Sequence, residues 1–141
     1  MTAPPKTLFD ITVLMDAFIN AQEPGNPSSA ALDLAARGAI QGYICAAAID
    51  PLHRELEQTC GFASARSAMQ RVCATLAIAP VDAAVIDGAL SLGWRYFGDA
   101  LVFESARRIG VDSLVTLNGP DFEHPALTVQ CPEDLLNALQ Q

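Results

Sequence analysis

At 141 residues, about half of them apolar, the chain can bury one core without disulfide or metal staples, and residues 1–141 read as a single domain. A formal charge of −8 excludes a strongly basic nucleic-acid groove, because the eight cations are seven arginines and the lone Lys6. No run of about eighteen apolar residues offers a membrane span, and MTAPPKTLFDITV lacks signal-peptide form, so a cytoplasmic protein with no membrane partner is expected.

In chain order, TLFDITV (7–13) predicts a first strand interrupted by Asp10, and VLMDAFIN (13–20) a short helix directly after it. AQEPGNPSS (21–29) is the one looser stretch. PSSAALDLAARGAI (27–40) has a helix's composition, with serines at its start and Gly38 near its end. GYICA (42–46) predicts a buried strand, and DPLHRELEQTC (50–60) a helix with Asp50 at the N-cap and Pro51 at the first helical position. ASARSAMQRVCATL (63–76) is an alanine-rich helix, AIAPV (77–81) a third strand, and DAAVIDGALSLG (82–93) a helix opened by Asp82. DALVFESARRIG (99–110) predicts a helix closed by Gly110, DSLVTL (112–117) a fourth strand, and LTVQCPEDLLNAL (127–139) a strand, a proline and a final helix. Cys45, Cys60, Cys73 and Cys131 show no CxxC spacing and read as reduced thiols, neither disulfides nor zinc ligands.

Strands separated by helices predict a three-layer α/β/α sandwich around a mostly parallel sheet. Ligands of such sheets gather beyond the carboxyl ends of the strands. Asp10, Asp50, Asp99, Asn118 and Asp121 all fall where elements begin or end, so several could meet at one edge. Crowded carboxylates raise one another's pKa unless a cation neutralises them, and Mg²⁺ suits such an oxygen-rich site. Each residue also has an ordinary structural role: Asp99 suits a first helical turn, Asp50 suits a cap, and NGPD suits a turn. Asp10 resists that account, because an acid in a buried strand is costly without a partner. The haloacid dehalogenase class shares a strand-ending Asp and a TLN-like element, but the Asp it needs two residues later is Thr12 here, and no lysine follows Lys6.

The ordered set of motifs resembles the PIN domain, the ribonuclease fold of VapC-type toxins, over nearly the whole chain. FDITVLMDAF resembles the family's first motif, commonly Asp-Thr-Asn-Val-Leu. GYICAAAIDPLHREL resembles its second strand and helix, and the segment from IAPVDAAVIDG through FGDALVFESARRIG to LVTLNGPDF resembles its later blocks. CPEDLLNAL resembles its closing Pro-Glu-x-Leu segment. The resemblance implies that Asp10, Asp99 and Asp121 hold Mg²⁺ or Mn²⁺, that Thr12 and Asn118 organise the site, and that RNA phosphodiesters are hydrolysed by metal-activated water. The acid usual in the second helix has Asp50 as its nearest match, with Glu55 one turn on. Departures are Ile11 and Thr12 after the first acid, Tyr96 and Gly98 for two acids before Asp99, and Leu117 for an arginine.

The same resemblance implies a homodimer and a cognate antitoxin as partners. The alternative is a catalytically degenerate PIN fold acting as a partner-binding module, a reading that the acidic balance and the altered first motif support.

Overall fold

The computed structural model describes residues 3–140. Strand β1 (Lys6–Phe9) is short: Phe9 is the last residue it pairs, and helix α1 (Ile11–Ile19) starts two residues later. The β-branched run Ile11, Thr12 and Val13, expected to prolong the strand, opens the helix instead. Strand propensity is weak beside burial, and helical spacing lets Val13, Leu14 and Ala17 face the core together. Asp10 is therefore the residue between strand and helix, with extended backbone at φ −72° and ψ 153°.

Helix α2 (Pro27–Ala36) is capped by Asn26, whose side chain accepts from the Ser28 amide at 2.9 Å, with Pro27 in the first turn. Strand β2 (Gln41–Cys45) leads through a 3-10 turn (Ala46–Ala48) into α3 (Ile49–Cys60). The expected cap at Asp50 does not form. The preceding turn runs straight into the helix, Ala48 takes the cap position, and Asp50 sits inside the first turn facing solvent. Helix α4 (Phe62–Thr75) and strand β3 (Ala77–Ala79) follow. Helix α5 (Ala83–Leu92) opens as expected, Asp82 accepting from the Val85 amide at 3.0 Å. Helix α6 (Phe97–Ile109) ends at Gly110, whose left-handed φ of 70° glycine adopts without steric cost. Strand β4 (Ser113–Val115), a 3-10 turn (Gly119–Phe122), strand β5 (Val129–Gln130) and helix α7 (Pro132–Leu139) complete the chain.

The five strands form one parallel sheet in the order β3-β2-β1-β4-β5. Helices α1 to α4 and α7 pack among themselves, while α5 and α6 form a separate hairpin that crosses back over the sheet, giving the α/β/α sandwich. Leu8, Phe9, Leu14, Ile44, Leu52, Phe103 and Leu114 fill the buried interior. All four cysteines are free, and only Cys45 is fully buried. No helix among the described residues is long and apolar enough to cross a membrane. The order has one decisive consequence. The chain winds outward from β1 to β3, then returns to place β4 on the other side of β1, so the crevice beyond β1 and β4 is the topological switch point.

Candidate active site

Asp10 and Thr116 stand side by side at that switch point. The β1–β4 register pairs Phe9 with Val115, and the Asp10 amide donates to the Val115 carbonyl at 3.0 Å. Asp10 is 4% exposed, and its burial is compensated by two hydroxyls on the same oxygen. Thr12 Oγ1 donates to Asp10 Oδ2 at 2.7 Å and Thr116 Oγ1 at 2.8 Å. Although Asp10 occupies the N-cap position of α1, its side chain makes no cap hydrogen bond, so the carboxylate is held by threonines and not by the helix end.

The two threonines also fix the loop after β4. The Leu117 amide donates to Thr12 Oγ1 at 3.1 Å, and the Asn118 amide to Thr116 Oγ1 at 3.0 Å. The Asn118 carbonyl then accepts from the Asp121 amide at 3.0 Å, which starts the turn carrying Asp121. Thr12 and Asn118 thus sit within the network about Asp10, with Asn118 contributing through its backbone. In the sequence Thr116 stands out only within the dehalogenase-like TLN element and not as a partner of Asp10. Its signal there is faint: a hydroxyl residue ending a buried apolar strand, just before the polar turn LNGPD.

Asp99 comes from a third direction, in the first turn of α6. Burial, then the charge of Asp10, then that of Asp121, push its pKa from 3.8 to about 6. Asp10 and Asp121 therefore both act on Asp99, although 89 residues separate Asp10 from Asp99 and 22 separate Asp99 from Asp121. Asp99 lies between two clefts. One of about 120 Å³ includes Asp10, Ile11, Ala47, Pro51 and Gly98; the other, of about 250 Å³, includes Asp121.

Asp50 does not join this group. It is exposed and paired with Arg54 at 3.0 Å one helical turn on; its neighbour Pro51 lines the smaller cleft. Among the described residues, no three His, Cys, Asp or Glu side chains are gathered tightly enough to enclose a metal ion. The donor chemistry nevertheless fits a hard dication. The acids supply only oxygen ligands, burial and then the charges of Asp10 and Asp121 raise the Asp99 pKa, and Mg²⁺ keeps several of its own waters and needs no closed protein cage.

A family model described as the PIN domain matches residues 6–119. Among solved structures, the DNA-bound VapBC of Salmonella typhimurium aligns with a TM-score of 0.73 at 14% identity, covering 91% of this chain and 98% of that one. VapBC2 of Rickettsia felis, bound to a fragment of its promoter DNA, aligns with a TM-score of 0.70 at 16% identity, covering 88% and 96%. VapC20 of Mycobacterium tuberculosis, a sarcin-ricin loop cleaving toxin, gives 0.61 at 17% identity, covering 77% and 86%. At these identities the likeness is one of fold. No curated protein sequence matches the chain.

Proposed function

The chain belongs to the PIN domain family, and on that premise we propose that it is a ribonuclease dependent on Mg²⁺ or Mn²⁺, acting as the toxin of a toxin-antitoxin pair. One observation carries the reading: Asp10, Asp99 and Asp121, from three separate segments, converge beyond the switch point closely enough for the first and third to raise the pKa of the second. Acids that only capped helices or made turns would have no reason to share a field.

In this reading Asp10, Asp99 and Asp121 hold the cation, and Thr12 and Thr116 fix the orientation of Asp10. Asn118 ties the Asp121 turn to Thr116. Asp50, exposed and paired with Arg54, is left out of the set. When bound, a divalent cation supplies the positive charge that acidifies an attacking water and offsets the charge of the reacting phosphodiester. Because Asp99 must lose its proton to bind a cation, binding weakens as pH falls below about 6. The fold neighbours include toxin-antitoxin complexes, which supports a small antitoxin as protein partner. A homodimer is the proposed state of the free protein, to be tested by light scattering.

The test is cleavage of a mixed RNA pool with Mn²⁺, Mg²⁺ or EDTA, with Asp10→Asn and Asp99→Asn proteins alongside. Metal-dependent cutting that both substitutions abolish is expected. The departures from the family's motifs at Ile11, Thr12, Tyr96 and Gly98 favour a second reading, a PIN fold that binds partners without catalysis. No cutting by folded protein under any condition would select it.

A further inference from the structure

The larger cleft beside Asp99 has a composition that holding a cation does not require. Trp94, Arg95, Tyr96 and Pro120 line it together with Asp99 and Asp121. Trp94 is occupied by packing, its ring 5.0 Å from that of Phe103 and 6.3 Å from that of Phe122, and so makes a rigid wall. Tyr96 is not. It is 61% exposed on the segment between α5 and α6, and backbone φ −98° and ψ 101° fix it one residue before the α6 start. Arg95 places its guanidinium carbon 5.7 Å from the Tyr96 ring centroid. Among the described residues Arg95 forms no ion pair, although this cleft also contains Glu123 and the chain has twice as many acids as cations.

A tyrosine ring this exposed, with a guanidinium over one face, offers its other face as the kind of surface on which a nucleobase stacks. Glu123, the one carboxylate of this cleft outside the proposed cation site, favours a neutral ring over a phosphate and can accept from the amino groups of a base. The volume of about 250 Å³ falls below the ~300–1,000 Å³ of a site for a drug-sized molecule and suits one flat ring. Asp99 and Asp121 belong both to this cleft and to the proposed cation site, so a base held here belongs to a nucleotide next to the scissile phosphate.

We infer that the Trp94–Arg95–Tyr96 cleft is a nucleobase subsite, in which Tyr96 stacks on an unpaired base of the RNA adjoining the cut and Arg95 steadies the backbone outside the acidic walls. This rests on the ribonuclease reading above. The subsite lets an otherwise acidic protein hold single-stranded RNA without a basic groove, by stacking and not by charge.

Trp94 is the only tryptophan of the chain and lines the cleft, so its fluorescence reports occupancy. Wild type, Tyr96→Phe, Tyr96→Ala and Arg95→Gln proteins would be titrated with a 2′-O-methyl RNA hexamer and with hexamers carrying one abasic position moved along the strand. One series would contain EDTA and another Ca²⁺. Wild type is expected to bind the intact hexamer, Tyr96→Phe to match it, and Tyr96→Ala to bind about tenfold more weakly. One abasic position should cost wild type about as much and Tyr96→Ala nothing further. Equal binding by wild type and Tyr96→Ala, or an abasic penalty that persists in Tyr96→Ala, would overturn the subsite. If wild type cuts RNA in the pool assay while either result holds, only the subsite is wrong. If wild type neither binds in either series nor cuts, the ribonuclease reading falls with it. Binding with the expected Tyr96 dependence but no cutting would overturn both the nuclease and the subsite's place beside a cut, leaving only a base-binding surface.

Discussion

Replacing Asp99 by Asn should stabilise the protein while removing its proposed activity. The Asp99 carboxyl titrates at about 6 in the folded protein against 3.8 ordinarily, through burial and the neighbouring charges of Asp10 and Asp121. Between those two pH values the folded state keeps a proton that the unfolded chain has lost. Stability linked to this group is therefore fully present below pH 3.8 and is lost as pH rises through about 6. At about 1.4 kcal/mol per pH unit the displacement corresponds to about 3 kcal/mol. Asp99 is only partly buried, so solvent screening reduces this to about 1 kcal/mol, or roughly 3 °C in melting temperature for a chain of this size. Thermal unfolding of wild type and Asp99→Asn would be followed from pH 4 to 8 without divalent cations. The variant should melt higher at pH 7.5, and the gap should close by pH 4 to 5. Adding Mg²⁺ or Mn²⁺ should raise the melting temperature of wild type and leave the variant nearly unmoved. A variant that melts lower at pH 7.5, or a gap that is constant with pH, would show that the three acids do not share an uncompensated field.

Thr116→Val removes one of the two hydroxyls on the buried Asp10 carboxylate and the acceptor of the Asn118 amide; it should cost about 1–3 kcal/mol in chemical denaturation and lower RNA cleavage as Asp10 loses its orientation. Glu104, 2% exposed inside α6, is paired with Arg107 and Arg108, and the hydrogen bond from Arg107 is the main cause holding its carboxyl below the usual 4.5. Its contribution is present above pH 4.5 and lost as pH falls through the lower folded value, so Glu104→Gln should destabilise by about 2 kcal/mol at pH 7 and progressively less in acid. A methyl group at Gly88 would run into the Glu104 side chain, so Gly88→Ala should cost about 1–3 kcal/mol by displacing that carboxylate from its arginines. Equal urea midpoints for Gly88→Ala and wild type would show that Glu104 moves aside freely.

The alternation of strands and helices was legible in the sequence where helices carry their own punctuation: Asp82 at the start of α5, Gly110 at the end of α6, Pro132 in the first turn of α7. Alternation on this pattern implies a parallel sheet, and the motif order carried the family. The sequence also singled out Asp10, since a buried acid among apolar residues demands a partner wherever it is placed. The strand's length was not legible. Ile11, Thr12 and Val13 suit a strand as well as a helix, and only the end of pairing at Phe9 and the burial of Val13 and Leu14 decided for the helix. Asp50 had the local grammar of a cap, yet the turn entering α3 turned it toward Arg54 and solvent. Thr116 lies 106 residues from the carboxylate it holds, and no local pattern reaches that far. What brings Asp10, Thr116, Asp99 and Asp121 together is the reversal of strand order between β3 and β4. Propensities and caps act within a few residues along the chain, whereas the electrostatic field of a site depends on distances that only the folded sheet sets.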